Sequence, residues 1–256
     1  DTDKLKEKLS SKTKAVIPVD LGGLPCDYDE LIGLLNTEET KDIFEPNNDI
    51  QIQLGRPILL ADAAHSIGAV YRGRQIGNWA DATCFSFHAV KNLTTAEGGA
   101  ICLNFPSCFD NNRIYNDLRI KSLHGQTKDA LAKNRLGGWE YDIIEPGYKF
   151  NMPDILAAIG LVEIDRYNET LIKRKEIFEI YTNKLSAYSW ALTPKYYNDI
   201  KTSSFHLYLL RISGFDESKR NILIENMSKK GIATNVHYKP LPLLSLYNDL
   251  GYKTED

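Results

Sequence analysis

The sequence predicts an α/β fold, a mostly parallel sheet sandwiched by helices and followed by a small α+β domain. Three observations carry that prediction. In the N-terminal part, short apolar runs rich in branched side chains alternate with helical or polar segments: AVIPV (15–19), PILLA (57–61), ATCFSF (82–87) and AICLN (100–104). Such alternation is typical of strands covered on both faces. From Pro153 to about Leu185 the periodicity becomes that of one long helix. Beyond Trp190 the pattern reads strand, helix, strand.

Taken in order, the charged opening DTDKLKEKLSSKTK reads as a helix leading into the first strand. LGGLP (21–25) is a turn, and a second helix runs from Tyr28 to about Leu35. The polar stretch NTEETKDIFEPNNDIQIQLG (36–55) is a surface excursion with no role assigned by the sequence. GAVYRGRQ (68–75) has the glycine spacing of a phosphate loop. It carries Arg74 where that loop needs lysine, and Gln75 where it needs Ser or Thr, so it too reads as a turn. Pro153 suits a first helical turn, where its missing N–H costs nothing. Ile155, Ile159, Val162 and Arg166 follow along one side of that helix, and RKEIFEIYTNK closes its charged half. FHLYLLRI (205–212) and ATNVHY (233–238) are the expected strands of the small domain, with a helix over 216–230 between them. The expected organisation is therefore 1–152 as part of a large domain, 153–190 as a connecting helix, and 191–256 as part of a small C-terminal domain. The sheet looks short of strands, and the chain reads as a fragment. There is no internal repeat.

The composition excludes several classes. Lys plus Arg number 31 and Asp plus Glu 34, scattered along 256 residues with a net charge of -3, which is unlike a nucleic-acid-binding surface. No apolar run approaches the roughly 18–20 residues of a membrane span, and the charged opening is unlike a secretory signal. The protein reads as soluble and cytoplasmic. Cys26, Cys84, Cys102 and Cys108 form no CxxC pair and have no histidine at metal-ligand spacing, so no metal site is expected. The N-x-[ST] triplets at Asn92, Asn168 and Asn226 are chance matches without a secretory route.

Chemistry enters through SFHAVKNLTTAEGGA (86–100), which sets Lys91 among small and polar residues between two strands. A lone lysine there is ordinarily a solvated loop residue. A chemically useful lysine must be neutral part of the time, as when it forms a Schiff base with a carbonyl cofactor. Pyridoxal phosphate (PLP) also needs a carboxylate for its pyridine nitrogen, donors for its phosphate and a polar group near its ring hydroxyl. Asp62 closes the strand PILLA and Ser86 the strand ATCFSF, both at the carboxyl edge of the expected sheet, where α/β proteins bind ligands. Taken singly, Asp62 reads as a cap for the AAHSIG turn and Ser86 as a strand-end hydroxyl. With Lys91 29 residues after Asp62 and five after Ser86, they form a pattern. No GxSxG elbow is present to seat a hydrolase nucleophile.

The segment DAAHSIGAVYRGRQIGNWADATCFSFHAVKNLTTAEGGAICLN (62–104) resembles the core signature of the DegT/DnrJ-type sugar aminotransferases, PLP enzymes of the aspartate-aminotransferase fold (fold type I). GYKFNMPDILAAIGLVEIDR (147–166) is similar to their second signature and GIATNVHYKPLP (231–242) to their third. The resemblance implies that Lys91 is the Schiff-base lysine and proton carrier and that Asp62 partners the pyridine nitrogen. It places Ala64 under the cofactor ring, His65 at the ring hydroxyl, where many members have glutamine, and Ser86 on the phosphate. Many members carry Asn-Tyr-Arg in the second signature, whereas this chain has Lys149, Phe150 and Asn151. Lys149 thus stands where the family's neighbouring subunit donates a phosphate-contacting asparagine, and an ammonium can serve a phosphate as a point charge. The family's N-terminal phosphate loop and stacking aromatic ring have no counterpart in these residues, and the extreme C-terminus is also lacking.

The implied function is transamination of a nucleotide-linked keto-sugar, with glutamate as donor and a homodimer sharing its active sites. The setting would be cell-surface polysaccharide, lipopolysaccharide or secondary-metabolite sugar biosynthesis. His88, His237 and Tyr238 are candidate substrate contacts, while His124 and His206 are expected as core or turn residues. Two other readings stand beside this one. Sugar dehydratases of the family replace the lysine with histidine, so Lys91 argues against them. A cofactor-poor structural or dimerisation module would show no absorbance change with PLP.

Overall fold

The computed structural model describes residues 1–128, 133 and 139–254. The chain forms two compact units, Asp1–Glu179 with Lys195–Tyr208, and Ile180–Pro194 with Leu209–Asp256. In the first, helix α1 (Thr2–Lys8) leads into β1 (Ala15–Val16), followed by helices α2 (Tyr28–Leu35), α3 (Glu38–Ile43) and α4 (Asp49–Leu54). Then come β2 (Ile58–Asp62), the hairpin β3 (Val70–Tyr71) and β4 (Arg74–Gln75), β5 (Ala82–Ser86), β6 (Gly99–Leu103) and α5 (Asn111–Ser122).

The main sheet has the order β1-β2-β5-β6, with β1, β2 and β5 parallel and β6 antiparallel to β5. Leu60, Ala61 and Asp62 register with Ala82, Thr83 and Cys84, which brings the ends of β2 and β5 to one edge. Tyr28, Leu31 and Leu35 of α2 pack with Leu59 and Ala61 of β2, and the Tyr28 ring meets Tyr71 edge-on at 5.9 Å. The polar excursion is ordered by its caps. Thr37 accepts the N–H of Thr40 to start α3, and Asn48 accepts that of Gln51 to start α4.

The long helix expected from Pro153 is two helices, α6 (Asp154–Asp165) and α7 (Tyr167–Leu185), separated at Arg166. The break coincides with a tertiary anchor: the Tyr167 hydroxyl donates to the Ile67 carbonyl at 2.6 Å, and its ring lies where a Cβ on Gly68 would be, 2.9 Å from Tyr167 Cε1. The strand expected over 205–212 is also different. Ser204, His206 and Leu207 donate their backbone N–H groups to the carbonyls of Gly23 and Gly22, so this stretch clamps a turn instead of joining a ladder. Only β9 (Arg211–Ile212) pairs as a strand, with β7 (Ala191–Leu192) in the second unit, while β8 (Lys201–Thr202) extends the hairpin in the first. Residues 233–238 form no strand; the N–H of Val236 turns to the Asn235 side chain at 2.8 Å, a local bond that competes with a ladder. Helices α8 (Glu217–Lys229) and α9 (Ser245–Asp249) complete the second unit.

At the amino edge of the sheet, opposite the ligand edge, Arg56 and Asp81 form a bidentate pair at 2.8 and 2.7 Å, and Asp81 also accepts the N–H of Leu59 at 2.8 Å. Both residues are buried, so the pair sets the start of β2 against that of β5. Asp81→Ala strands a buried guanidinium and should lower the unfolding free energy by about 3–5 kcal/mol in urea titration. The double replacement Arg56→Met/Asp81→Leu should recover part of that loss. A loss below about 1 kcal/mol for Asp81→Ala, the level of an exposed pair, would contradict this account.

Candidate active site

Three loops leave the carboxyl edge of the sheet side by side. The loop after β1 carries Asp20 to Gly23, the loop after β2 carries Asp62 to Ser66, and the loop after β5 carries Ser86 to Lys91. Asp20 ties the first two together. Its carboxylate accepts the Tyr28 hydroxyl at 3.0 Å, the Ser66 hydroxyl at 2.6 Å and the Cys26 N–H at 2.8 Å, while its own N–H donates to the Asp62 carbonyl at 3.1 Å. Asp20 is fully buried, and that burial pushes its carboxyl above the usual range, against the pull of those donors. Burial raises the neighbouring Cys26 thiol to about 12, so Cys26 is inert packing. Gly23 is required where this loop meets 204: at φ +95 a Cβ would stand 2.2 Å from Ser204 Oγ and 3.0 Å from the His65 carbonyl.

Asp62 ends β2 and turns the chain, with Oδ1 accepting the N–H of Ala64 at 3.1 Å. Its other oxygen accepts no hydrogen bond from the described residues. His65 is buried, its Nδ1 accepting the N–H of Gly22 at 3.2 Å and its carbonyl accepting the Ser204 hydroxyl.

Ser86 ends β5, and its hydroxyl accepts the N–H of His88 at 3.3 Å. The loop that follows is closed at its neck by the bonds Phe87 N–H to Gly98 O and Thr95 N–H to Phe87 O. Within it Lys91 donates its N–H to the His88 carbonyl at 2.9 Å, which closes a turn just beyond the end of β5. The Lys91 ammonium makes no hydrogen bond or ion pair with the described residues. Burial lowers its pKa, and the charge of Asp62 pulls it back up. That opposition puts the amine and the carboxylate in one electrostatic field.

The structure thus gathers Asp62, Ala64, His65, Ser86 and Lys91 at one sheet edge. His88 is on the same loop, exposed, with Nε2 3.6 Å from Glu97 Oε1. Lys149 is placed otherwise: it is exposed, donates to Asn151 Oδ1 at 2.6 Å, and lines a cleft of about 690 Å³ with Arg119, Ser122, Gln126 and Thr127. His237 and Tyr238 belong to the second unit, their rings edge to face at 4.8 Å. Sequence reasoning missed Asp20 and Asn92. Asp20 was findable by the rule that selected Asp62, a carboxylate just past a strand run. Asn92 offered no cue beyond its place after Lys91. Among the described residues no cluster of His, Cys, Asp and Glu could hold a metal, and no helix is long and apolar enough to cross a membrane.

An unpaired, half-buried amine, a carboxylate with an open oxygen, a strand-end hydroxyl and an imidazole fit the groups that PLP presents: an aldehyde, a pyridine nitrogen, a phosphate and a ring oxygen. Comparison with known proteins agrees. The profile of the DegT/DnrJ/EryC1/StrS aminotransferase family matches residues 49–256. The spore coat polysaccharide biosynthesis protein SpsC of Bacillus subtilis is 33% identical over 263 residues, covering 100% of this chain and 61% of its own length. The UDP-4-amino-4,6-dideoxy-N-acetyl-beta-L-altrosamine transaminase of Campylobacter jejuni is 31% identical over 253 residues, covering 98% of this chain and 59% of its own. A putative sugar aminotransferase of Streptococcus pneumoniae, Spr1654, solved in PMP, apo and PLP forms, superposes in its PMP form with a TM-score of 0.91 at 44% identity. That match covers 100% of this chain and 63% of the pneumococcal one. The architecture is accordingly that of the fold type I transferases, as the sequence predicted. The chain spans about three fifths of the length of the curated relatives it matches.

Proposed function

Because the chain belongs to the DegT/DnrJ/EryC1/StrS aminotransferase family, we propose that it forms the cofactor-binding part of a PLP-dependent enzyme. That enzyme moves an amino group from an amino acid, with glutamate as donor, onto the keto carbon of a nucleotide-linked sugar. The observation that carries this reading is the placing of an unpaired Lys91 on the loop after β5 and of Asp62, with one open carboxylate oxygen, at the end of the adjacent parallel strand β2. There burial pushes the amine toward neutrality and the charge of Asp62 opposes that shift.

Bound PLP supplies the electron sink that makes the donor's α-carbon acidic. The chain's own groups divide the remaining work. Lys91 Nζ would hold the cofactor through its aldehyde and, as a neutral amine, would be the base that takes the donor's α-proton and returns it. Asp62 Oδ2 holds a proton on the pyridine nitrogen. Ala64 packs beneath the ring, His65 donates to the ring oxygen, and the Ser86 hydroxyl donates to the phosphate. His88, His237 and Tyr238 are proposed to meet the sugar.

Lys149 is proposed to act on the phosphate of a neighbouring copy, in a two-fold dimer with two shared sites. Its support is its position in the second signature and the exposed apolar surface of α6, where Ile155 is 77% and Leu161 68% exposed. One experiment tests the activity and the sharing together, by counting 2-oxoglutarate released from glutamate in a single turnover of PLP-loaded protein. The native protein should release about one equivalent per site, Lys91→Ala none, and Lys149→Ala little because it holds PLP poorly. Mixing the two variants should rebuild one intact site in each mixed dimer, a consequence of two-fold geometry. No release by the native protein would overturn the activity; no recovery on mixing would place Lys149 within its own site.

A further inference from the structure

His206 was expected only in the core or a turn, yet its ring lies against that of His65, centroids 4.4 Å apart and planes tilted by 39°. Each ring is oriented by a different hydrogen bond. The Gly22 N–H donates to His65 Nδ1 at 3.2 Å, so that nitrogen is unprotonated and the neutral ring carries its proton on Nε2. On His206, Nδ1 is 2.8 Å from Asn92 Oδ1. The buried Asn92 amide has its own orientation fixed, because its Nδ2–H donates to the Ser204 carbonyl at 2.6 Å and a carbonyl can only accept. The amide oxygen therefore faces His206, which makes Nδ1 the protonated nitrogen of that ring.

We infer that His206, clamped by Asn92, is a positioning residue for His65. Gly22 sets which nitrogen of His65 carries the proton, and the His206 ring sets the plane in which that Nε2–H is presented to the cofactor's ring oxygen. The clamp starts at the residue directly after Lys91, so the donor to the ring oxygen and the amine that binds the aldehyde are held by one continuous piece of structure. A loose imidazole would lose this alignment, since a side chain free to rotate gives up part of its hydrogen bond in entropy. The inference rests on the proposed role of His65 toward PLP.

The test uses the full chain with ¹⁵N-labelled histidine, first without cofactor. Two-bond proton–nitrogen correlation should show His65 as the Nε2–H tautomer and His206 as the Nδ1–H tautomer. Asn92→Leu should move His206 toward Nε2–H and broaden His65. His206→Ala should shift the His65 nitrogens and raise the dissociation constant for PLP about fivefold, the loss of one aligned hydrogen bond. His206→Phe, which keeps a ring in contact, should preserve the His65 tautomer and hold PLP within about twofold of native. Unchanged His65 nitrogens and PLP affinity in His206→Ala would overturn the inference, as would an Nε2–H tautomer at His206 in the native chain. The spectra need no cofactor. Failure of borohydride to mark Lys91 in the presence of PLP would sink the aminotransferase reading, while the histidine tautomers still decide this one.

Discussion

Lys91→Ala should reduce transamination by about 10,000-fold or more, because one substitution removes both the group proposed to bind the aldehyde and the base proposed to move the α-proton. Lys91→Arg should be as inactive. Arginine keeps the positive charge but stays protonated at any working pH, so it can serve neither as nucleophile nor as base. Equal failure of the two variants would show that the site needs a neutral amine and not a cation. The chemical readout is independent of turnover: with PLP present, borohydride should leave a stable pyridoxyl mark on the peptide that carries Lys91 and on no other. A mark on Lys121 or Lys149 would move the assignment. Lys121 is a poor rival on physical grounds, since it is exposed and its hydrogen bond to Glu145 raises its pKa, whereas burial lowers that of Lys91.

The residues proposed to carry this chemistry were legible because they close regular elements or follow directly on them. PILLA and ATCFSF carry strand periodicity on their own, and the structure ends those strands at Asp62 and Ser86. Helix α2 was equally plain from Tyr28 to Leu35, where three apolar residues on one face bury against the sheet. What the sequence did not reveal depends on contacts distant along the chain. The break at Arg166 answers to a hydroxyl reaching Ile67, roughly a hundred positions away, and nothing in DRYNE resembles a helix stop. FHLYLLRI has every local mark of a strand, but its first residues bond the Gly22–Gly23 turn, and Phe205 takes a positive φ that a ladder would not allow. His206 was invisible for the same reason. Its partners, His65 and Asn92, are 141 and 114 positions away, so no spacing rule could link them.

Asp62→Asn is the sharpest test of how the site works, because it changes charge and little else. Asparagine keeps an oxygen at the position that accepts the Ala64 N–H, so the turn after β2 should survive and PLP should remain bound. The half-reaction with glutamate should nevertheless slow by at least about a hundredfold, since losing a positioned charge partner in such a site costs about 3 kcal/mol or more in the transition state. The cofactor-free chain offers a second readout whose sign follows from the balance on Lys91. Burial disfavours its ammonium and Asp62 favours it. Removing the carboxylate's charge leaves burial unopposed, so Lys91 should release its proton at lower pH than in the native chain. An amine-reactive reagent should then modify Lys91 faster at a fixed pH below its titration midpoint, while the exposed lysines react as before. Normal glutamate turnover together with an unmoved Lys91 titration would reduce Asp62 to a cap on the turn that holds Ala64.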